Sequence, residues 1–201
     1  KYIKKKTKIN LKIDSIEKLN KLLSKSQRPV FWLGNGIKLA KAEKLVPKLL
    51  KKFQFPTFLS WAAIDMLSSD HKLNFGRPGV YGNRASNLIL QNSDLIIAIG
   101  NRMSISMIGY AHEEFARKAK LVQVDVDKSE IKKFKNKTDL GINLDAKTFL
   151  NIFIKNSNSK IKEKNLRNWL QFCKKTLNKY PHIEKKAHKD NNGFINSYKF
   201  I

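Results

Sequence analysis

The sequence has few of the residues that form disulfide bonds or bind metal ions. A single cysteine, Cys173, in 201 residues excludes a disulfide framework and a cysteine-based zinc site. The four histidines are scattered, and none has a second residue at a metal-ligand spacing. No run of about 18 or more apolar residues occurs, so we expect no membrane-spanning helix. A reducing, cytoplasmic location is the expected compartment.

Acidic residues are also scarce, with 16 Asp and Glu against 41 Lys and Arg and a formal net charge of +25. Residues 54–130 carry eight of each sign, so the excess lies in the flanking segments, where it is nearly all lysine. Nucleic-acid-binding proteins usually combine such charge with arginine and exposed aromatic residues. We expect no specific nucleic-acid binding, and a basic nucleic-acid-binding protein is kept as an alternative.

The sequence lacks a recognisable catalytic constellation. It contains no Walker motif, no convincing pair of catalytic carboxylates and no Ser/His/Asp arrangement. His112, Glu113 and Glu114 are predicted to lie on a helix without a matching ligand elsewhere. We therefore predict no catalytic residue and no metal ligand in this chain.

Short apolar runs that end in glycine alternate with helical patterns between Arg28 and Ile131. Glycine at a strand end lets the backbone approach another group, often a phosphate, without a Cβ in the way. The pattern predicts an α/β fold: a doubly wound, Rossmann-like parallel sheet of five to six strands with a helical C-terminal extension. Six of the nine glycines belong to this pattern: Gly34, Gly36, Gly76, Gly79, Gly82 and Gly100.

The element boundaries follow from periodicity and turn residues. Residues 1–14 are expected to be extended, and Asp14 or Ser15 to cap the first helix. A helix is predicted over 39–53, kinked or started late by Pro47. Strands are predicted at 29–33, 55–61, 94–100, 120–127 and 139–145, and further helices at 83–91, 110–119, 128–134, 146–156 and 166–177.

We divide the chain into a lead-in segment with a helix at 1–27, a central α/β domain at 28–154, and a linker with the start of another domain at 155–201. The helices at 16–23 and 166–177 are amphipathic and have no obvious partner in this chain. We therefore expect the chain to be a fragment of a longer protein.

Three glycine turns are candidate ligand contacts. Gly34-Asn35-Gly36 follows the first strand, but Leu39 stands at the third glycine of a dinucleotide fingerprint and Ser60-Trp61 replaces the expected acid. A hydride-transferring NAD(P) domain is therefore not expected. A simple tight turn and a ligand-contacting loop both remain open for this segment.

The other two turns precede a helix and follow the most apolar strand. Gly79-Val80-Tyr81-Gly82 is flanked by Arg77 and Arg84, whose charges suit binding of an anion. The alternative for Arg84 is a structural role, as a cap or in a pair. Gly100-Asn101-Arg102 lies at a strand end where open α/β sheets bind ligands. Asp125 suits ribose binding, whereas Asp127 is better explained as a helix N-cap.

Taken in order, these segments resemble the central domain of the thiamine-diphosphate enzymes of the acetolactate synthase family, and look closest to a branch found among polysaccharide-biosynthesis enzymes. The resemblance covers roughly residues 28–150. It is carried by RPVFWLGNGI, SSDHKLNFGRPGVYGNRASNLILQNSDLIIAIGNRMS, FARKAKLVQVDVDKSEIKK and NLDA.

The resemblance implies a middle domain between a pyrimidine-binding and a diphosphate-binding domain, in a homodimer or homotetramer. Thiamine diphosphate and Mg²⁺ would lie between the two other domains, and FAD is a possible ligand of the central one. Carried over by position, the cofactor-binding residues would be Gly34, Asn35, Gly36, Leu59, Ser60, Gly79, Val80, Tyr81, Gly82, Gly100, Asn101, Arg102, Asp125, Val126, Asp145 and Ala146.

The chain departs from that family pattern at identifiable places. Met103-Ser104-Ile105 stands where acetolactate synthases have acidic residues, and Tyr81 where histidine is usual. The Gly-Asp-Gly and double-Asn signature of the diphosphate-binding domain is absent, since Asn191-Asn192 has no such partner upstream. We therefore expect the chain alone to catalyse nothing. A free-standing nucleotide-binding module is the alternative.

Overall fold

A computed structural model describes residues 10–134, 137–158 and 161–181, with side chains from Asp14 onward. Expectations for residues 1–9, for His182 and His188, and for the predicted domain start around Asn191-Asn192 lie outside this part. The strands are β1 (Pro29–Leu33), β2 (Thr57–Leu59), β3 (Leu95–Ile99), β4 (Lys120–Asp125) and β5 (Thr138–Asn143).

The helices alternate with the strands, as predicted. Short 3₁₀ helices at Glu43–Leu45 and Trp61–Met66 accompany them. The α-helices are α1 (Asn10–Lys25), α2 (Gly36–Leu39), α3 (Val46–Phe53), α4 (Arg84–Asn92), α5 (Ile105–Ile108), α6 (Lys128–Lys133), α7 (Ala146–Asn156) and α8 (Glu163–Lys179). None of the helices in the described residues is long and apolar enough to cross a bilayer.

The five strands form one parallel sheet in the order β2-β1-β3-β4-β5. Residues 73–76 run beside β2 as a short, irregular extra strand: the amide of Thr57 donates to the Leu73 carbonyl at 2.8 Å, and the amide of Phe75 to the Thr57 carbonyl at 2.9 Å. In the order β2-β1-β3-β4-β5 the direction in which strands are added reverses between β1 and β3, as in doubly wound folds. The predicted fold class is confirmed.

β3 lies in the middle of the sheet because its five residues are apolar on both faces. All of Leu95–Ile99 are buried, and the strand pairs in parallel with β1 on one side and β4 on the other. Continuous apolar runs are typical of parallel strands that helices cover on both faces. One apolar core lies on each face of the sheet, under α1, α3 and α7 on one side and under α4 and α8 on the other.

The expectation that the helices at 16–23 and 166–177 lack a partner in this chain is wrong. Leu19 and Leu23 of α1 are fully buried in the first core, and Trp169 and Cys173 of α8 are buried in the second. The indole N–H of Trp169 also donates to the carbonyl of Pro29 at 3.0 Å. An amphipathic pattern identifies an apolar face but not the surface that covers it.

The start of α1 also differs from the prediction. The helix runs from Asn10, so the prediction that residues 1–14 are extended is wrong for residues 10–14. Asp14 and Ser15 lie within the helix, and neither caps its N-terminus. Farther along, the predicted helix at 39–53 is divided into α2, the first 3₁₀ turn and α3. Pro47 stands in the first turn of α3, where its missing N–H costs nothing, so the predicted late start is confirmed.

The segment 110–119 is not the helix that its sequence predicts. Residues 112–118 form successive turns, and Ala116 has a left-handed backbone with φ of 42°. Long-range bonds replace the helical ones, since Lys137 Nζ donates to the carbonyls of Ala116 and Ala119 at 2.8 and 3.2 Å. Gln91 Oε1 accepts from the Ala116 amide at 3.0 Å. Tertiary contacts thus override the local propensity, and His112 lies in a turn.

The Trp169 hydrogen bond provides a test of whether α8 is part of this core. Replacing Trp169 with Phe keeps an aromatic ring but removes the donor to the Pro29 carbonyl, so we expect the free energy of unfolding to fall by about 1–3 kcal/mol. Urea denaturation measures the change. Gln171→Ala on the same helix is the control, because Gln171 is exposed and its replacement should cost less than about 0.5 kcal/mol. Equal effects of the two variants would contradict the packing.

Candidate functional site

The carboxyl ends of the parallel strands meet at one edge of the sheet, and the strand order reverses there between β1 and β3. In open α/β sheets such a switch point opens the crevice in which ligands bind. Gly34 directly follows β1 and Gly100 directly follows β3. The structure therefore places two of the predicted turns at the expected position.

The two glycine turns pack directly on each other. The Gly34 amide donates to the Ile99 carbonyl and the Gly36 amide to the Gly100 carbonyl, both at 2.9 Å. A Cβ at Gly34 would lie 2.1 Å from the Gly100 oxygen, which no side chain can accept. These glycines thus permit close approach of two backbones, and the Gly36 amide already has an acceptor. Asn35 forms no capping hydrogen bond to α2.

The third turn, at 77–83, joins the same edge. Gly79 has φ of +135°, a conformation that favours glycine, and the Val80 amide donates to the Ser106 carbonyl at 2.8 Å. A Cβ at Gly82 would overlap the Arg77 carbonyl at 2.3 Å. Because Ser106 belongs to the segment that follows Gly100, all three predicted turns lie at one edge. Tyr81 projects from the loop and is exposed.

Both arginines that flank this loop stack on aromatic rings. The Arg77 guanidinium lies 5.3 Å from the ring centre of Trp61, and that of Arg84 lies 4.5 Å from the ring centre of Tyr180. Arg84 therefore contacts the end of α8, which favours the structural interpretation left open above. Trp61 remains 46% exposed at the edge of the sheet.

Asp125 ends β4 and is only partly exposed. Its Oδ1 accepts from the Asp127 amide at 2.9 Å, and burial raises the pKa of this carboxyl above its ordinary value. A carboxylate with spare acceptor capacity beside an exposed Val126 suits a hydroxyl group of a ligand. Asp127 instead accepts from the Ser129 amide and caps α6, so its predicted N-cap role is confirmed.

The remaining predicted residues have local partners. Asp145 caps α7 by accepting from the Thr148 amide at 3.0 Å, and Ala146 is buried behind it. The Nε of Arg102 lies 3.0 Å from Glu130 Oε1, in an ion pair whose arginine is exposed and whose glutamate is largely covered. The Ser60 amide donates to the Leu33 carbonyl at 2.9 Å, which places the end of β2 beside the end of β1.

Asn101 belongs to a predicted turn, but no sequence signal revealed that its side-chain amide is buried without an acceptor in the part of the chain that the structure describes. The residue is 2% exposed, and its Oδ1 accepts from the Met103 amide at 3.1 Å. Its Nδ2 is buried and has no acceptor among the described residues. A buried donor without a partner is costly and is explained by an ordered water or a ligand at that place.

Exposed apolar side chains concentrate at the same edge. Among the described residues, eight of the nine large hydrophobic side chains that are exposed lie in segments after the carboxyl ends of strands, and the ninth is Phe172. Exposed apolar surface of this kind marks binding or docking sites. We name this set the carboxyl rim: Leu39, Trp61, Ile64, Val80, Tyr81, Ile105, Tyr110 and Val126.

Catalytic and metal-binding groups are not assembled in the part of the chain that the structure describes. No three His, Cys, Asp or Glu side chains there lie close enough to hold a metal ion. A cleft of about 280 Å³ lies at the opposite edge, between Arg28, Asn168 and Phe172, but it brings together no acid, base or nucleophile. What the carboxyl edge can do chemically is bind and position a ligand.

The strand order and the glycine turns define a doubly wound, parallel α/β domain. A profile of the family described as thiamine pyrophosphate enzyme, central domain, matches residues 16–152. The chain therefore belongs to the family of thiamine pyrophosphate enzyme central domains, which confirms the resemblance drawn from its motifs.

Similar proteins are large subunits of acetolactate synthase. The chain is 38% identical to isozyme 1 of Escherichia coli K12 over 122 residues, which are 61% of this chain and 21% of that protein. It is 34% identical to the "Probable acetolactate synthase large subunit" of Methanococcus aeolicus over 70% of this chain and 23% of that protein. The Corynebacterium glutamicum subunit is 29% identical over 83% and 26%. The chain thus spans about a quarter of the length of these relatives.

The packing of the glycine turns predicts the outcome of a single methyl addition. Gly34→Ala places a Cβ against the backbone of Gly100, and we expect a loss of about 3 kcal/mol in the free energy of unfolding. Gly141→Ala is the control: its backbone is not left-handed and its Cβ meets the side chain of Ile131 rather than backbone, so we expect a loss of only about 1 kcal/mol. Urea denaturation compares the two. A Gly34 variant as stable as the Gly141 variant would contradict the close approach.

The raised pKa of Asp125 predicts a pH-dependent effect of its replacement. The folded state holds the proton more tightly than the unfolded state, so the wild type loses stability as the pH rises from the ordinary carboxyl range through the folded pKa. Asp125→Asn removes this loss. We expect the variant to have the higher melting temperature at pH 7 and a difference that shrinks toward pH 3.5. A difference that is equal at both pH values would rule out titration of Asp125 as its cause.

Proposed function

We propose that this chain is the central domain of an acetolactate-synthase-like enzyme that acts on 2-keto acids by decarboxylation and carboligation. The membership of the family of central domains and the similarity to acetolactate synthase large subunits support the parent activity. The observation that carries the role of the domain is the switch point, where three glycine turns meet at an edge with exposed apolar side chains. The domain supplies binding and positioning, and it is inactive alone.

We further propose that the carboxyl edge binds a dinucleotide, with FAD as the ligand that the family resemblance suggests. The residues at the edge fit such a group in three ways. The glycine turns carry no side chains that would fill the crevice. Asp125 offers an acceptor for a hydroxyl group, and Asn101 Nδ2 is a buried donor that lacks an acceptor in the described residues. Trp61 and Tyr81 add exposed aromatic surface for a flat ring.

The predicted contacts do not have equal weight. The amides of Gly34 and Gly36 already donate to carbonyls of β3 and its following turn, and Asp145 is engaged as a helix cap. Gly34, Gly36 and Gly100 therefore shape the crevice through their lack of side chains. Direct hydrogen bonds to a ligand are assigned to Asp125 and Asn101, with Gly79-Tyr81-Gly82 and Arg102 at the rim.

The described residues of this chain do not fit thiamine diphosphate and Mg²⁺. In the described segments no cluster of metal-ligating side chains exists, and Asp125, Asp127 and Asp145 have separate local roles. The cofactor provides the carbon chemistry of such enzymes, whereas the protein binds and orients it. We therefore assign its site to the pyrimidine- and diphosphate-binding domains of the parent enzyme and derive no catalytic step here.

The partners of the domain follow from the same distribution of side chains. We propose that the carboxyl rim faces the two other domains within a homodimer or homotetramer, since apolar surface is exposed there while residues 54–130 carry no net charge. The lysine-rich helices α3 and α8 lie on the two faces of the sheet and suit solvent. The single cysteine agrees with a reducing compartment such as the cytoplasm.

Titration with flavins tests the ligand. We expect FAD to bind with a change in flavin fluorescence and to bind at least tenfold more tightly than FMN or riboflavin, because the crevice recognises both halves of a dinucleotide. Asp125→Asn should weaken FAD binding about tenfold by removing a charged acceptor. Asp139→Asn, at the opposite end of the next strand, is the control.

Two results would contradict the FAD proposal. Equal affinity for FAD and riboflavin would leave only attraction of the flavin ring to exposed aromatic side chains. Equal weakening by the Asp125 and Asp139 variants would attribute the loss to charge alone, rather than to a contact at the carboxyl edge.

A further inference from the structure

The loop at 77–83 is attached to α4 by carboxamide side chains at both of its ends. Asn87 of α4 holds Gly79 from both sides: its Oδ1 accepts from the Gly79 amide at 2.7 Å and its Nδ2 donates to the Gly79 carbonyl at 2.9 Å. Asn83, which precedes α4, accepts from the Arg77 amide at 3.2 Å through its side chain. These hydrogen bonds fix the loop to the start of α4, so a movement of that end of the helix moves the loop as well.

The start of α4 is in turn held by the end of α8. The Arg84 guanidinium, at the first residue of α4, lies 4.5 Å from the ring centre of Tyr180, which directly follows α8. Planar guanidinium groups stack on aromatic faces in this way. In the described residues, Arg84 takes part in no ion pair of the structure, so this stack is its identified contact.

α8 connects the two edges of the sheet. Near its beginning Trp169 is bonded to the Pro29 carbonyl at the amino end of β1, and at its end Tyr180 reaches the loop at the carboxyl edge. The eleven helical steps from Trp169 to Tyr180 span about 16 Å, which is the length of a five-residue strand. The helix thus places Tyr180 at the edge where the predicted ligand binds.

We propose that the Arg84–Tyr180 stack couples the ligand-binding loop at 77–83 to the end of α8. Arg84 and Tyr180 are positioning residues in this scheme: neither contacts a ligand, and both act through α4 and Asn87 on Gly79. When the loop is held by a ligand, Arg84 is fixed and the end of α8 is ordered. By linkage, a well-docked end of α8 strengthens ligand binding by the same factor.

The size of the coupling is bounded by the contact that carries it. Exposed cation–π pairs contribute about 0.5–1 kcal/mol, which corresponds to a factor of about two to five in an equilibrium constant. Breaking the stack should therefore change ligand affinity and local opening by about two- to fivefold. A larger effect would indicate loss of the fold, because this contact is too weak to produce it.

The coupling can be measured without a ligand through amide hydrogen exchange of the whole chain. Tyr180→Leu removes the ring while keeping an apolar side chain, and we expect the amides of Val80 and Gly82 to exchange about two- to fivefold faster. Tyr180→Phe keeps the ring and should restore the wild-type rates. Phe172→Leu, an aromatic replacement on the same helix near the amino edge, is the matched control and should leave the loop unchanged.

A second arm uses FAD as the probe and rests on the proposed ligand. Tyr180→Leu should raise the Kd for FAD about two- to fivefold with an unchanged urea midpoint, and FAD should slow exchange at Thr176 and Tyr180 in the wild type only. Failure of the wild type to bind FAD would remove the proposed ligand, and the exchange arm alone would then decide the coupling. Unchanged loop exchange in Tyr180→Leu, or equal effects of Phe172→Leu, would overturn it.

Discussion

The direct contact between the turns that follow β1 and β3 is the constraint on which the rest of the domain depends. A Cβ on Gly34 would lie 2.1 Å from the Gly100 oxygen, and a Cβ on Gly100 would lie 2.8 Å from the Cα of Gly36. The strand order reverses at this pair of strands, so the contact sets the relative height of the two halves of the sheet. The loop at 77–83 is then positioned against the segment after Gly100, through the Val80 hydrogen bond to Ser106.

This contact also explains why the glycine pattern resembles a dinucleotide fingerprint without completing it. In a complete fingerprint a long helix begins at the turn, and its free amides face a pyrophosphate. Here α2 has four residues, and the Gly36 amide donates to Gly100. The two glycines allow one backbone to approach another. This packing needs no acidic residue at the end of β2, so Ser60 and Trp61 are compatible with the site.

Sequence patterns predicted the sheet well because they report burial. The apolar run at 95–99 identified the central strand, and Asp127 was identified as a cap from its position before a helix. The same patterns missed what tertiary contacts decide. The turns at 112–118 depend on Lys137 and Gln91, which are distant in sequence, and the covered faces of α1 and α8 could be recognised as apolar but not matched to their cores.

The site shows the same division between local and tertiary information. Glycines at strand ends are visible in a sequence because the turn itself requires them. Two features arise only when separate segments meet: the unpartnered Nδ2 of Asn101 and the stack of Arg84 on Tyr180. No spacing of residues in the sequence predicts either of them. Charge, in contrast, is visible in the sequence: the lysine excess maps to the flanking segments, and residues 54–130, which contribute seven of the eight side chains of the carboxyl rim, carry no net charge. The described part of the domain holds no cluster of metal-ligating side chains and is organised around what approaches its carboxyl edge, while the lysines of α3 and α8 favour solvent on the two faces of the sheet.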